Sequence, residues 1–123
     1  MSELELGKGQ MKVMRVLWKK KRATAQEITD ILNESEPTKH STVQTFLRIL
    51  VKKGAAAYDV DKRTHIFYPL VEETQVKKYA LQDFIDHVFA GSAGVMVSYL
   101  VQNQYITSSE LKKIYKLFKE KKE

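Results

Sequence analysis

Between Pro37 and Tyr58 the chain carries neither aspartate nor glutamate, and within that stretch Val43, Phe46, Leu47 and Leu50 fall at i, i+3, i+4 and i+7. The spacing predicts a helix from about Ser41 to Lys53 with one apolar flank, stopped by Gly54. Its other flank holds Ser41, Gln44, Thr45, Arg48 and Lys52, also at helical spacings. Such a helix buries one side and leaves the other in water, and here the wet side has no carboxylate to repel a phosphate at short range.

The segments on either side decide the architecture. Met11, Val13, Met14, Val16, Leu17 and Trp18 crowd a first helix from about Gln10 to Lys20, and the run Lys19 to Arg22 reads as a solvated helix end suited to the dipole. Thr24 followed by Glu27 is a capping box that opens a second helix, with Ile28, Ile31 and Leu32 on one face. Beyond Gly54, Ala56 to Val60 and Thr64 to Leu70 are rich in β-branched and aromatic residues, separated by the turn Asp61-Lys62-Arg63. Three short helices and a β-hairpin compose a winged helix-turn-helix.

From Val71 the helical pattern resumes, with Leu81, Phe84, Ile85, Val88 and Phe89 in a broad apolar stripe. Two more helices are expected, the last opened by a second capping box, Thr107 to Glu110, and carrying Leu111, Ile114, Tyr115 and Phe118 on one face. A small head has little surface on which to hide these stripes, so a second copy of the chain is the economical cover. The expected fold is mainly α with a small β-hairpin wing: a winged helix-turn-helix head over 1–70 and a helical dimerisation region over 71–123.

Charge separates the same two parts. Residues 1–70 hold 13 basic and 8 acidic side chains, a net +5, whereas residues 71–123 hold 8 and 7, a net +1. An anionic partner would meet the first part, and double-stranded DNA, whose phosphates shed counterions on basic surface, is the natural one. Ser, Thr and Gln on the third helix can approach base edges in the major groove, and the helix N-terminus near Ser41 and Thr42 can take a phosphate. Lys62 and Arg63 at the hairpin tip suit the backbone. The competing class is a winged-helix protein-interaction module without specific DNA binding, in which this face is idle.

Other chemistry has less support. The absence of cysteine removes disulfides, thiolate metal sites and a cysteine nucleophile, and fits a reducing cytoplasm. His40, His65 and His87 form no H-x-x-x-H pair, Asp83 and Asp86 lack further ligands, and neither a glycine-rich phosphate loop nor a nucleophile elbow occurs, so no enzyme, cofactor or metal is expected. Val88 to Ser109 is free of charge and as long as a membrane span. Gly91, Ser92, Gly94, Ser98 and Gln102 to Gln104 interrupt it, so burial against protein is expected and no membrane partner.

The chain resembles the penicillinase-repressor family, the BlaI/MecI/CopY group of bacterial regulators. The resemblance rests on Val13-Met14-Arg15-Val16-Leu17-Trp18, on Ser41-Thr42-Val43-Gln44-Thr45-Phe46-Leu47-Arg48, on Val51-Lys52-Lys53-Gly54, and on Phe67-Tyr68-Pro69-Leu70 at the hairpin exit. It implies a cytoplasmic homodimer that binds an inverted-repeat operator and blocks transcription. Ser41, Thr42, Thr45 and Arg48 lie at the family's recognition positions, with Lys39, His40, Gln44, Lys52, Lys62 and Arg63 beside them as further DNA contacts. Leu81, Phe84, Ile85 and Val88, with Met96, Leu100, Ile114 and Phe118, match the part that pairs subunits. The chain departs from the pattern at Thr38, where relatives often carry tryptophan, and at Gln10, which replaces a common acid. Members that answer β-lactams are cut at an Asn-Phe bond where this chain has Tyr99-Leu100, so a regulatory protease stays an open partner. The cysteine pairs of the copper-responsive branch are missing.

Overall fold

The structure, a computed structural model, describes residues 2–122. It comprises two compact units, Met1–Leu81 and Gln82–Glu123. The first contains α1 (Lys8–Lys20), β1 (Ala23–Thr24), α2 (Ala25–Asn33), α3 (His40–Lys53), β2 (Ala56–Asp61), β3 (Thr64–Pro69) and the start of α4 (Glu73–Val88).

The apolar flank of α1 contributes Val13, Met14 and Leu17 to the core, α2 contributes Ile28, and α3 contributes Val43, Leu47 and Leu50. Gly9 permits the close approach of α1 to α3, since a Cβ there would lie 2.1 Å from the Phe46 ring. The first capping box forms as expected. Thr24 Oγ1 accepts the Glu27 N–H at 3.1 Å, and the Glu27 carboxylate accepts the Thr24 N–H at 2.8 Å. Gly54 ends α3 at φ 83°, a left-handed conformation that suits glycine. There the Gly54 N–H donates to Val51 O and the Ala55 N–H to Leu50 O, the paired bonds of a Schellman cap.

The hairpin belongs to a three-stranded antiparallel sheet of order β1-β3-β2. The two residues of β1 pair Ala23 with Phe67 and Thr24 with Ile66, a strand absent from the sequence expectation because it is too short for any periodicity to show. Three boundaries also shift: α1 begins at Lys8 rather than Gln10, α3 at His40 rather than Ser41, and β3 ends at Pro69. The turn is tighter than expected. Asp61 pairs with Thr64, leaving Lys62 (φ 49°) and Arg63 (φ 70°) as its two central residues, both left-handed as a type I′ turn requires.

The first unit extends past the expected boundary at residue 70. Trp18 Nε1 donates to Val71 O at 2.9 Å, and Val71 and Val76 are buried in the same core as α1 and α3. The opening turns of α4 are therefore part of the head.

In the second unit, α4 is followed by α5 (Ala93–Gln102) and α6 (Ser108–Lys122). Ala90 and Gly91, both at positive φ, break the chain between α4 and α5, and Ser92 caps α5 by accepting the Val95 N–H. The Thr107–Glu110 box caps α6 as expected, through bonds of 3.1 and 3.0 Å. Phe89 packs edge-on against both Phe84 and Tyr99. Among the described residues, no single helix is long and apolar enough to cross a membrane.

Candidate nucleic-acid interface

Ser41, Thr42, Gln44, Thr45, Arg48 and Lys52 are all exposed, as is Lys39 at the N-cap of α3, while Val43, Leu47 and Leu50 on the opposite side are fully enclosed. The division follows from the 100° step between helical residues, which turns the two sets in opposite directions. Thr45 Oγ1 donates back to Ser41 O at 3.0 Å. Lys53, by contrast, donates to Glu5 O and Gln10 Oε1 and so ties the N-terminal segment to the end of α3.

The start of α3 is open. Thr24, Ser92 and Thr107 cap their helices with a side-chain oxygen, whereas Lys39 offers no side-chain acceptor to α3. The Thr42 N–H bonds to Lys39 O, so the amides that face outward without an intramolecular acceptor are those of His40 and Ser41. They can accept an anion supported by the helix dipole.

An open groove of about 720 Å³ runs between α3 and the hairpin. Its α3 wall contains His40, Gln44 and Arg48, its hairpin wall contains Tyr58, Arg63, Thr64 and His65, and Thr24, Ala25 and Gln26 line it from β1 and the start of α2. No carboxylate lines it. The structure thus brings Gln44, Arg48 and His40 together with Arg63, and leaves Ser41, Thr42, Thr45, Lys39, Lys52 and Lys62 outside the groove. Tyr58 and His65 stack with ring centroids 4.2 Å apart, which stiffens the hairpin wall.

His40 departs from expectation. It is half-buried, and its Nδ1 lies 3.1 Å from Thr29 Oγ1, whose hydroxyl donates to Ala25 O at 2.7 Å. With that proton committed, His40 Nδ1–H is the donor to Thr29, and the ring anchors α3 on α2. His40 positions the interface and has only its remaining edge to offer a ligand. Asn33 does similar work unseen by sequence reasoning: its side chain bonds Thr29 O, Thr38 O and the Thr38 N–H, clamping the turn between α2 and α3. Thr38 thus sits in a local hydrogen-bonded turn. Tyr58, His65 and Gln26 were also missed, since only the pairing of distant strands and helices brings them to the groove.

Leu81, the last residue of the first unit, is exposed, as are Phe84, Val88, Ile114 and Phe118 in the second, where Met96 and Leu100 are half-buried. Ile85 differs. It is 7% exposed within the single chain, so its burial does not depend on a partner.

Comparison with known proteins decides the family. Residues 6–120 match the penicillinase repressor family. The chain belongs to that family. It is a family of DNA-binding repressors rather than enzymes. Among relatives, the penicillinase repressor of Bacillus licheniformis is 24% identical over 118 residues, covering 96% of this chain and 92% of its own. The methicillin resistance regulatory protein MecI of Staphylococcus aureus (strain N315) is 26% identical over 117 residues, covering 95% of each. The solution structure of the DNA-binding domain of the repressor BlaI superposes with a TM-score of 0.54 at 26% identity, covering 61% of this chain and 93% of that domain. The complex structure of hsRosR-S4, at 21% identity and a TM-score of 0.55, covers 84% of this chain and 93% of its own, and shares the fold.

Proposed function

We propose that the chain is a homodimeric transcriptional repressor that lays α3 in the major groove of an inverted-repeat operator. The observation that carries this reading is the exposed, carboxylate-free face of α3, beside an open helix N-terminus and a groove that adds Arg63. Ser41, Thr42, Gln44, Thr45 and Arg48 approach base edges, where arginine pairs with guanine, glutamine with adenine, and a threonine methyl with thymine. Lys39 and Lys52 take phosphates, as do Lys62 and Arg63 on the wing. The free amides at the start of α3 hold one further phosphate.

The left-handed backbone at Lys62 and Arg63 supports a role for the wing. A two-residue turn of this type favours Asn-Gly, and long cationic side chains are held there at a backbone cost. Pairing of two chains through the exposed stripes of α4 and α6 supplies the second head that an inverted repeat requires. Tyr99-Leu100 lies inside α5 with Tyr99 packed on Phe89, so a regulatory protease acting there would first have to open the helix.

The deciding experiment is Arg48→Ala on full-length protein, measured on a selected operator and on random DNA of equal length. We expect a loss of about 1–3 kcal/mol on operator and much less on random DNA. Equal losses on both make Arg48 a phosphate contact, and no operator preference in the parent protein overturns the reading.

A further inference from the structure

The outer face of α1 carries a cationic row of a kind that the operator face of α3 does not account for. Lys8, Lys12, Arg15 and Lys19 recur at i, i+4, i+7 and i+11, all exposed, directly opposite Val13 and Leu17 in the core. At 100° per residue they fall within an arc of about 60°. At 1.5 Å per residue they run for about 16 Å. From Leu6 to Gln26 there is no Asp or Glu. The other exposed helices supply an internal control: α2 displays Glu27 and Asp30, while α4 and α6 mix both signs, as solvated faces do. Only α1 and α3 among the charged helices lack carboxylates. Of the row, Lys12 is paired, with Glu36; among the described residues no acidic partner stands beside Lys8, Arg15 or Lys19.

We propose that this row is a second duplex-binding surface, which holds the phosphate backbone of a DNA segment other than the operator gripped by α3. Charge complementarity selects the occupant. The apolar side of α1 is consumed by the core, so the helix has no face to insert into a lipid surface. No aromatic or large aliphatic side chain stands in the row to anchor a protein partner. A rigid polyanion needs neither, because backbone binding requires cations alone. α1 and α3 bury their inner sides in one core and turn separate outer faces to water, with the Lys12–Glu36 pair setting the row beside the turn that leads into α3. We assign the α1 face its own stretch of duplex. A repressor with two such surfaces per head can tether flanking or distant DNA while its recognition helices stay on the operator.

The test uses full-length protein saturated with a palindromic operator selected from random fragments, so that both recognition helices are occupied. Labelled non-operator duplex is then added across a salt series. Capture of the second duplex is expected at about 50 mM salt, weakening with a log–log slope of about −2.7 for three unpaired cations. The variant K8Q/R15Q/K19Q should keep operator affinity within about twofold and lose capture by at least about tenfold, since its changed residues are exposed and none touches α3's outer face. Undiminished capture by that variant, or no capture by the parent protein at low salt, overturns the proposal. So does a loss of operator affinity that parallels the loss of capture, which would place the row in the operator interface. Binding of the parent protein but not the variant to phosphatidylglycerol vesicles, without duplex capture, assigns the row to lipid instead. If the operator shift itself fails, the repressor reading falls, while row-dependent duplex capture would still uphold this surface.

Discussion

In the first unit Met14, Leu17, Ile28, Leu47 and Leu50 are each at most 1% exposed, whereas in the second Tyr99, Leu117 and Phe118 are all more than half exposed and Ile85 is the one large apolar side chain buried among those described. Similar residues meet opposite fates. The head closes its core with α1, α2, α3, the sheet and the first turns of α4, and leaves few large apolar side chains in water, Val60 and Leu70 among them. The second unit has helices with good caps and dense apolar stripes but no core large enough to hide them, and the proposed pairing would cover those stripes.

The largest effect that could break this contrast comes from the same truncation made in both units. Leu47→Ala should lower the unfolding free energy of the head by about 2–5 kcal/mol, because a fully enclosed leucine leaves a cavity. Leu117→Ala, measured at dilution where chains are separate, should stay within about 0.5 kcal/mol. A comparable loss at both sites in chemical denaturation would mean that Leu117 has a core of its own.

Next is Phe84→Glu, which should leave the head folded and dissociate the pair. Sedimentation should show a single chain, and operator affinity should fall by about 100-fold as the two heads lose their effective concentration. A dimer of unchanged affinity would move pairing to another surface. Ile85 offers no such test, since its burial within the chain makes any loss there one of folding.

These two substitutions also mark how far the fold was legible in the sequence. Elements with local chemistry were visible: the Thr24 and Thr107 capping boxes, the Gly54 stop, and the β-branched and aromatic runs on either side of the hairpin turn each declare themselves within a few residues. What stayed hidden depends on long-range pairing. β1 exists only because Phe67 and Ile66 come to it, Val71 and Val76 join the head because Trp18 holds the chain there, and His40 turns inward because Thr29 waits on α2. The candidate face was legible because absence of carboxylate is a property of the sequence. The groove was not, since Tyr58, His65 and Gln26 reach it only through the fold.

A smaller effect should sharpen the contrast within the head. Replacing Lys62 with Asn and Arg63 with Gly gives the turn the residues that its left-handed backbone favours, and should raise stability by about 1 kcal/mol. DNA affinity should fall alike on all sequences, with a salt slope shallower by about 2. A gain in stability with unaltered affinity would show the two cations to be idle.

The smallest expected effect compares the two capping boxes. Glu27 and Glu110 each have a carboxyl pK lowered from the ordinary 4.5, first by the backbone N–H of Thr24 or Thr107 and then by that residue's hydroxyl. Because the folded value lies below the unfolded one, each box contributes stability that is complete above about pH 4.5 and drains away as pH falls through the folded value. Trp18 is the only tryptophan and lies in the head, so its fluorescence reports the first unit. Glu27→Gln should therefore flatten the acid limb of a Trp18-monitored stability profile, and Glu110→Gln should leave it unaltered. If Glu110→Gln flattens that limb equally, the two units unfold as one body, and the contrast between a complete head and an incomplete partner region is a matter of surface rather than of folding.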